Sequence, residues 1–132
     1  MGVKKLLFTT VFMFLAISIG FSQYAENEWE DRDKWMDVSK IFELAGIEKG
    51  NKVADVGCHE GYLSVRLSER VGKNGTVYAV DVRKDRLESL QDHLKKRKIN
   101  NVEVVHGDYD NPKLPLKSLD AVIVMDTYHE ID

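Results

Sequence analysis

Four apolar runs in this sequence each carry an acid at or near the end. "VADV" holds Asp55 and runs into Gly57, Cys58, His59, Glu60 and Gly61. "TVYAV" runs into Asp81 and Val82, and "VEVV" into His106, Gly107, Asp108 and Tyr109. "LDAVIVM" is followed by Asp126, Tyr128 and His129. Gly57 and Gly61 lack a Cβ, so backbone amides there can approach a ligand and the turn can take positive φ. A helix that follows such a turn aims its N-terminus at the same place, which favours a carboxylate or phosphate. Asp81 lies 24 positions beyond Gly57, near the roughly 20 expected of an acid that accepts from both hydroxyls of a ribose. Asp108 can accept from the exocyclic amine of a purine. His129 is placed to act as a general base and Tyr128 to position an acceptor, although a plain strand end would use both equally well. Asp and Gly are common turn residues, which explains any one of these acids. Four in register point to a site.

The elements that would hold these residues alternate. Trp35, Val38, Ile41, Phe42 and Ala45 fall at spacings of three and four, predicting a helix from Asp33 that stops at Gly46. A strand over Lys52–Val56 follows, then a helix over about Tyr62–Val71 with Leu63, Leu67 and Val71 on one stripe. "GKNG" is a turn, Thr76–Val80 a strand, and Asp85 to Lys98 a helix with Leu87, Leu90 and Leu94 inward. Lys95, Lys96, Arg97 and Lys98 suit the negative end of that helix better than they suit a binding patch. Val102–Val105 and Leu119–Met125 complete four strands. Apolar strands alternating with helices predict an α/β fold, a doubly wound, Rossmann-like parallel sheet covered on both faces. Ligands on such a sheet lie outside the carboxyl ends of the strands, where the acids gather.

The remaining features bound the function. One domain is expected of 132 residues, and 43% hydrophobic with 31% charged residues is ordinary globular composition. A net charge of −3 offers no basic surplus for a nucleic-acid backbone. Residues 1–22 have Lys4 and Lys5, an uncharged apolar run from Leu6 to Ile19, and small Gly20 and Ser22 before Gln23. That is the build of a secretory signal cleaved before Gln23. Export to the periplasm or the exterior is therefore expected, with membrane contact only through 1–22; uncleaved, the run would be an anchor. The exported part would hold 17 basic and 22 acidic residues. Its single cysteine, Cys58, excludes an intrachain disulfide and reads as a small packed residue. Residues 23–34 read as an acidic lead-in, and 35–132 as the ligand-binding domain. No zinc-like ligand spacing surrounds His59, so no metal is expected.

Two ligands fit a glycine turn of this kind. A nicotinamide dinucleotide would want G-x-G-x-x-G with phosphates over the helix. This chain has G-x-x-x-G preceded by an acid, which would repel a pyrophosphate and attract an ammonium group. A nucleoside carrying an amino acid is the better match. At this point "VADVGCHEG", "VYAVDV" and "GDYDNPKLPLKSLDAVIVMDTYHEI" resemble, in order, the motifs of class I S-adenosylmethionine-dependent methyltransferases, from about Trp35 onward. The resemblance implies S-adenosylmethionine as cofactor and methyl transfer to an unknown, small-molecule acceptor. It implies that Asp55, Gly57 and Gly61 line the methionine part, with Cys58 of the same turn also counted to the cofactor site. Asp81 would hold the ribose with Val82 against the adenine, Asp108 and Tyr109 would frame the adenine edge, and Asp126 would sit near the sulfonium. His59 stands where the family has its middle glycine, a position with φ > 0 that His tolerates better than most residues. The family's sheet has seven strands and four are legible here. An incomplete fold is therefore expected, with an exposed apolar fourth strand open to aggregation or to self-association. A module that binds the nucleoside without turning it over, and less readily a nicotinamide-dependent oxidoreductase, are the alternative functions.

Overall fold

The computed structural model describes residues 28–115 and 117–125. The chain divides into two compact units, 1–37 and 38–132. In the first, residues 28–33 are helical. Lys34 and Trp35 donate their backbone N–H groups to Asp31 and Arg32, and Met36 donates to Arg32, all at 3.0–3.3 Å. These bonds close that helix, so Trp35 belongs to its end rather than to the start of the next one. Trp35 is 71% exposed and the Arg32 guanidinium lies 5.9 Å from its ring centroid. The expected helix start at Asp33, which counted Trp35 in the same helix as Val38, is corrected by this break.

The second unit begins with α1 (Val38–Leu44), followed by β1 (Lys52–Val56), α2 (Tyr62–Val71) and β2 (Thr76–Asp81). α3 (Lys84–Lys96), β3 (Val102–His106) and β4 (Ala121–Val124) complete it. α1 stops as its sequence foretold. Gly46 takes φ 66°, and the N–H groups of Gly46 and Ile47 return to the carbonyls of Glu43 and Phe42 at 3.0 Å, which is a Schellman closure. α3 ends the same way without a glycine. Lys98 takes φ 55°, and Ile99 donates to the Leu94 carbonyl at 2.9 Å. The expected continuation of α3 to Lys98 fails because Lys98 is the left-handed residue that terminates it.

The sheet is parallel throughout, in the order β3-β2-β1-β4. The chain enters at β1, steps outward to β2 and β3, then returns to the far side of β1. The order therefore reverses between β1 and β4, and the carboxyl ends of these strands are the switch point where doubly wound sheets hold ligands. β4 starts two residues later than the sequence implied. Its first pair is Val53 with Ala121, and Asp120 ahead of it has another task. The Asp120 carboxylate accepts the Lys52 N–H at 2.8 Å, and the Asp120 N–H returns to the Lys52 carbonyl at 2.8 Å.

Side chains alternate across the sheet. Val53, Val77, Leu67, Val71 and Leu90 are fully buried, each stabilising the fold by roughly 1.5–3 kcal/mol. On the other face the register aligns Ala54, Tyr78, Glu103 and Val122 in one row. Val122 and Val124 on β4 are exposed. The expected apolar outer strand is thus the sheet edge beside β1 among the described residues.

Candidate functional site: the carboxyl edge of β1 and β2

The turn after β1 is built from backbone constraints. Gly57 takes φ 76° and His59 φ 51°. Gly57 and Cys58 donate their N–H groups to the Val80 carbonyl at 2.8 and 3.0 Å, and Gly61 donates to the Cys58 carbonyl at 2.9 Å. The turn therefore folds against the end of β2, and His59 takes the left-handed conformation expected of it. Gly61 is the N-cap of α2 with φ 95°, and no side chain caps that helix end. A Cβ on Gly61 would collide with Leu90 Cδ1 of α3. Glycine at 61 is thus required by the backbone angle and by Leu90, a packing reason that sequence reasoning did not anticipate.

Asp81 closes the turn from the other side. Its Oδ2 accepts the His59 N–H at 2.9 Å and its Oδ1 accepts the Arg83 N–H at 2.8 Å. The residue is 6% exposed. A carboxylate oxygen has two acceptor positions, and each of these oxygens has one backbone N–H. One acceptor position per oxygen remains, matching a pair of neighbouring hydroxyls. Beyond Asp81, its carbonyl accepts the Gly107 N–H at 3.1 Å. The His106 ring Nε2 lies 3.1 Å from the Val82 carbonyl, as expected of an Nε2–H donor. The end of β3 is thereby tied to the same edge.

Asp55, expected to face an ammonium group, also has a partner inside the fold. It is 2% exposed, and the Ser64 hydroxyl of α2 donates to its Oδ2 at 2.6 Å. This bond joins the first turn of α2 to β1. Ser64 was invisible to sequence reasoning because it lies on an apolar helix face. Cys58 is buried as well. Burial pushes its thiol pKa up, and the charges of Asp55 and Asp81 push it further. Such a thiol is a packed residue and a poor nucleophile.

Asp108 and Tyr109 follow β3 at the same edge, with side chains in solvent. Tyr109 is 91% exposed. Asp108 forms a tight reciprocal turn with Asn111, at 2.7 and 3.2 Å, and an exposed ion pair with Lys113 at 3.1 Å. The structure thus brings Asp55, Gly57, Cys58, Gly61 and Asp81 into one tied cluster. Val82 is linked to it through the chain, and Asp108 and Tyr109 lie at its rim. Asp126, Tyr128 and His129 lie outside the described residues.

A four-strand parallel sheet in this order, with a glycine turn after its central strand and an acid after the next, is the cofactor half of the class I S-adenosylmethionine-dependent methyltransferase fold. The family described as "Methyltransferase domain" matches residues 53–132, and the chain belongs to that family. A demethylmenaquinone methyltransferase of Geobacillus sp. (strain WCH70) is 33% identical over 78 residues, 59% of this chain and 33% of the relative. A SAM-dependent methyltransferase from Aquifex aeolicus is 31% identical with TM-score 0.69, covering 73% of this chain and 51% of that one. A coclaurine N-methyltransferase solved with N-methylheliamine and SAH is 28% identical with TM-score 0.59, covering 66% of this chain and 25% of that one. The chain spans about a third of the length of the first relative and about half of the Aquifex structure.

Proposed function

We propose that this chain binds S-adenosylmethionine at the carboxyl edge of β1 and β2 and serves methyl transfer to a small-molecule acceptor. The observation that carries this reading is the Asp81 carboxylate, held by the N–H groups of His59 and Arg83 with one acceptor position left on each oxygen. A ribose supplies the two hydroxyl donors those positions want. The uncapped N-terminus of α2 favours the carboxylate of an amino-acid moiety, and Val82 offers an apolar side chain to the base. When bound, S-adenosylmethionine supplies an electrophilic methyl group on a sulfonium. The chain's own part is alignment of that ligand and exclusion of water. His129 remains the candidate base for an acceptor that must lose a proton.

Titration of the full chain with S-adenosylhomocysteine and, separately, with NAD tests the reading. Saturable heat with the first and none with the second is expected. Binding of NAD alone would replace a methyl-transfer ligand with a dinucleotide. Export through residues 1–22 belongs to the same proposal, supported by the Lys pair, apolar run and small residues before Gln23. The mass of the exported form should correspond to a start at Gln23.

A further inference from the structure

Three consecutive turn residues are each held by the β2–α3 segment, by three different kinds of contact. His59 donates its N–H to Asp81 at 2.9 Å. Glu60 Oε1 pairs with Arg86 Nη1 of α3 at 2.7 Å. Gly61 leaves the space that Leu90 of α3 fills. Arg86 and Leu90 are four residues apart, so they lie on one face of α3. Leu90 is fully buried at that contact, whereas the Glu60 and Arg86 side chains are each about one-third exposed, at 32% and 35%. The ion pair spans 26 residues of sequence and ties the turn to α3.

From this arrangement we infer that Arg86 is a positioning residue for the ligand turn. It acts through Glu60 to keep the His59 N–H on Asp81, and through that bond sets how Asp81 presents its remaining acceptor positions. Leu90 fixes the depth of the turn at Gly61 but exerts no pull along the chain toward α3. An ion pair at Glu60, one residue from His59, supplies that pull. Without it, Glu60 is a solvated carboxylate on a turn whose flanking residues already sit in the left-handed region, at φ 51° and 95°. Its link to ligand affinity rests on the cofactor reading above; its link to the His59 amide does not.

The test uses the full chain carrying Arg86→Met, Glu60→Gln, or the exchange Glu60→Arg with Arg86→Glu. The first readout is hydrogen exchange of the His59 amide without ligand. Both single variants should speed that exchange by about three- to fivefold, the range of a partly exposed ion pair, and the exchange variant should restore it. Unchanged His59 protection in both single variants overturns the inference. The second readout is S-adenosylhomocysteine affinity, expected to fall by the same factor in the single variants and to recover in the exchange. Faster His59 exchange with unaltered affinity would overturn the positioning role. If the parent chain binds no S-adenosylhomocysteine, the cofactor reading fails and His59 exchange alone decides whether Arg86 orders the turn. Should Arg86→Met fail to fold, Glu60→Gln carries both readouts.

Discussion

The backbone N–H of His59 lies 2.9 Å from Asp81 Oδ2, so the side chain that ends β2 is held by the turn that ends β1. The acid proposed to hold the ribose and the loop after β1 are one hydrogen-bonded object. Asp81→Asn should therefore damage both. An amide keeps one acceptor and turns an N–H₂ group toward the other backbone donor, leaving two donors face to face. We expect a stability loss of about 1–3 kcal/mol in urea unfolding. S-adenosylhomocysteine affinity should fall by at least about tenfold, since hydrogen bonds to a charged group contribute roughly 1.5–3 kcal/mol. A dissociation constant that does not move would remove Asp81 from the site.

Gly61→Ala carries two separable costs. The φ of 95° penalises a Cβ by about 1–2 kcal/mol, and the collision with Leu90 adds overpacking of about 1–3 kcal/mol. Leu90→Ala alone should cost about 2–5 kcal/mol for the cavity it opens. In the double variant the overpacking disappears, so its loss should be smaller than the sum of the two singles. Strict additivity in denaturant melts would show that Leu90 is not the steric partner.

Cys58 makes a prediction about alkaline pH. Its folded pKa is raised above the ordinary 9.0 by burial first and then by Asp55 and Asp81. Above pH 9.0 the unfolded chain loses the thiol proton while the folded chain keeps it. The unfolded state then binds fewer protons, so stability falls as pH rises. Below pH 9.0 this contribution is fully present. Cys58→Ala removes it, so the stability difference between the parent chain and the variant should narrow as pH climbs past that value. The folded thiol should also resist iodoacetamide at pH 8, reacting only as the chain opens; rapid labelling of the native protein would contradict the burial.

Asn101 supplies the end of α2 with donors. Its Nδ2 lies 2.9 Å from the Ser68 carbonyl and 2.9 Å from the Gly72 carbonyl. Asn101→Ala should cost about 1–3 kcal/mol. Asn101→Asp should be worse at neutral pH, where a carboxylate would face two carbonyl oxygens. It should recover below about pH 4, where the acid is protonated. Thermal melts at both pH values check the sign.

Much of the scaffold was legible. The periods of α2 and α3, the apolar β1 and β2, and the turn glycines follow from local rules of spacing and backbone freedom. The left-handed His59 followed from its place at the family's middle glycine, which His tolerates. Three features did not follow. The end of the helix at 28–33 depends on carbonyls that take up the N–H groups of Lys34 to Met36, and spacing alone cannot locate it. The reason for Gly61 is Leu90, 29 residues away. The inward bond of Asp55 depends on Ser64, whose hydroxyl is unremarkable until α2 is docked. The last two are tertiary contacts between segments whose local patterns were already correct; the first is a local helix end that the apolar spacing ran through. The cluster's acids were legible by type; which of them face inward was not.

The reciprocal bonds between Lys52 and Asp120 join the starts of β1 and β4 across 68 residues. Every other strand pairing involves neighbours along the chain, β1 with β2 and β2 with β3. Closing so wide a loop carries an entropic cost that nearer pairings avoid. The order of assembly is therefore built into the topology: the β1-to-β3 half can condense first, and β4 joins a surface already made. A slip of one residue on arrival would turn Ile123 outward and Val122 inward, and the Asp120 latch blocks it by bonding only at the correct register.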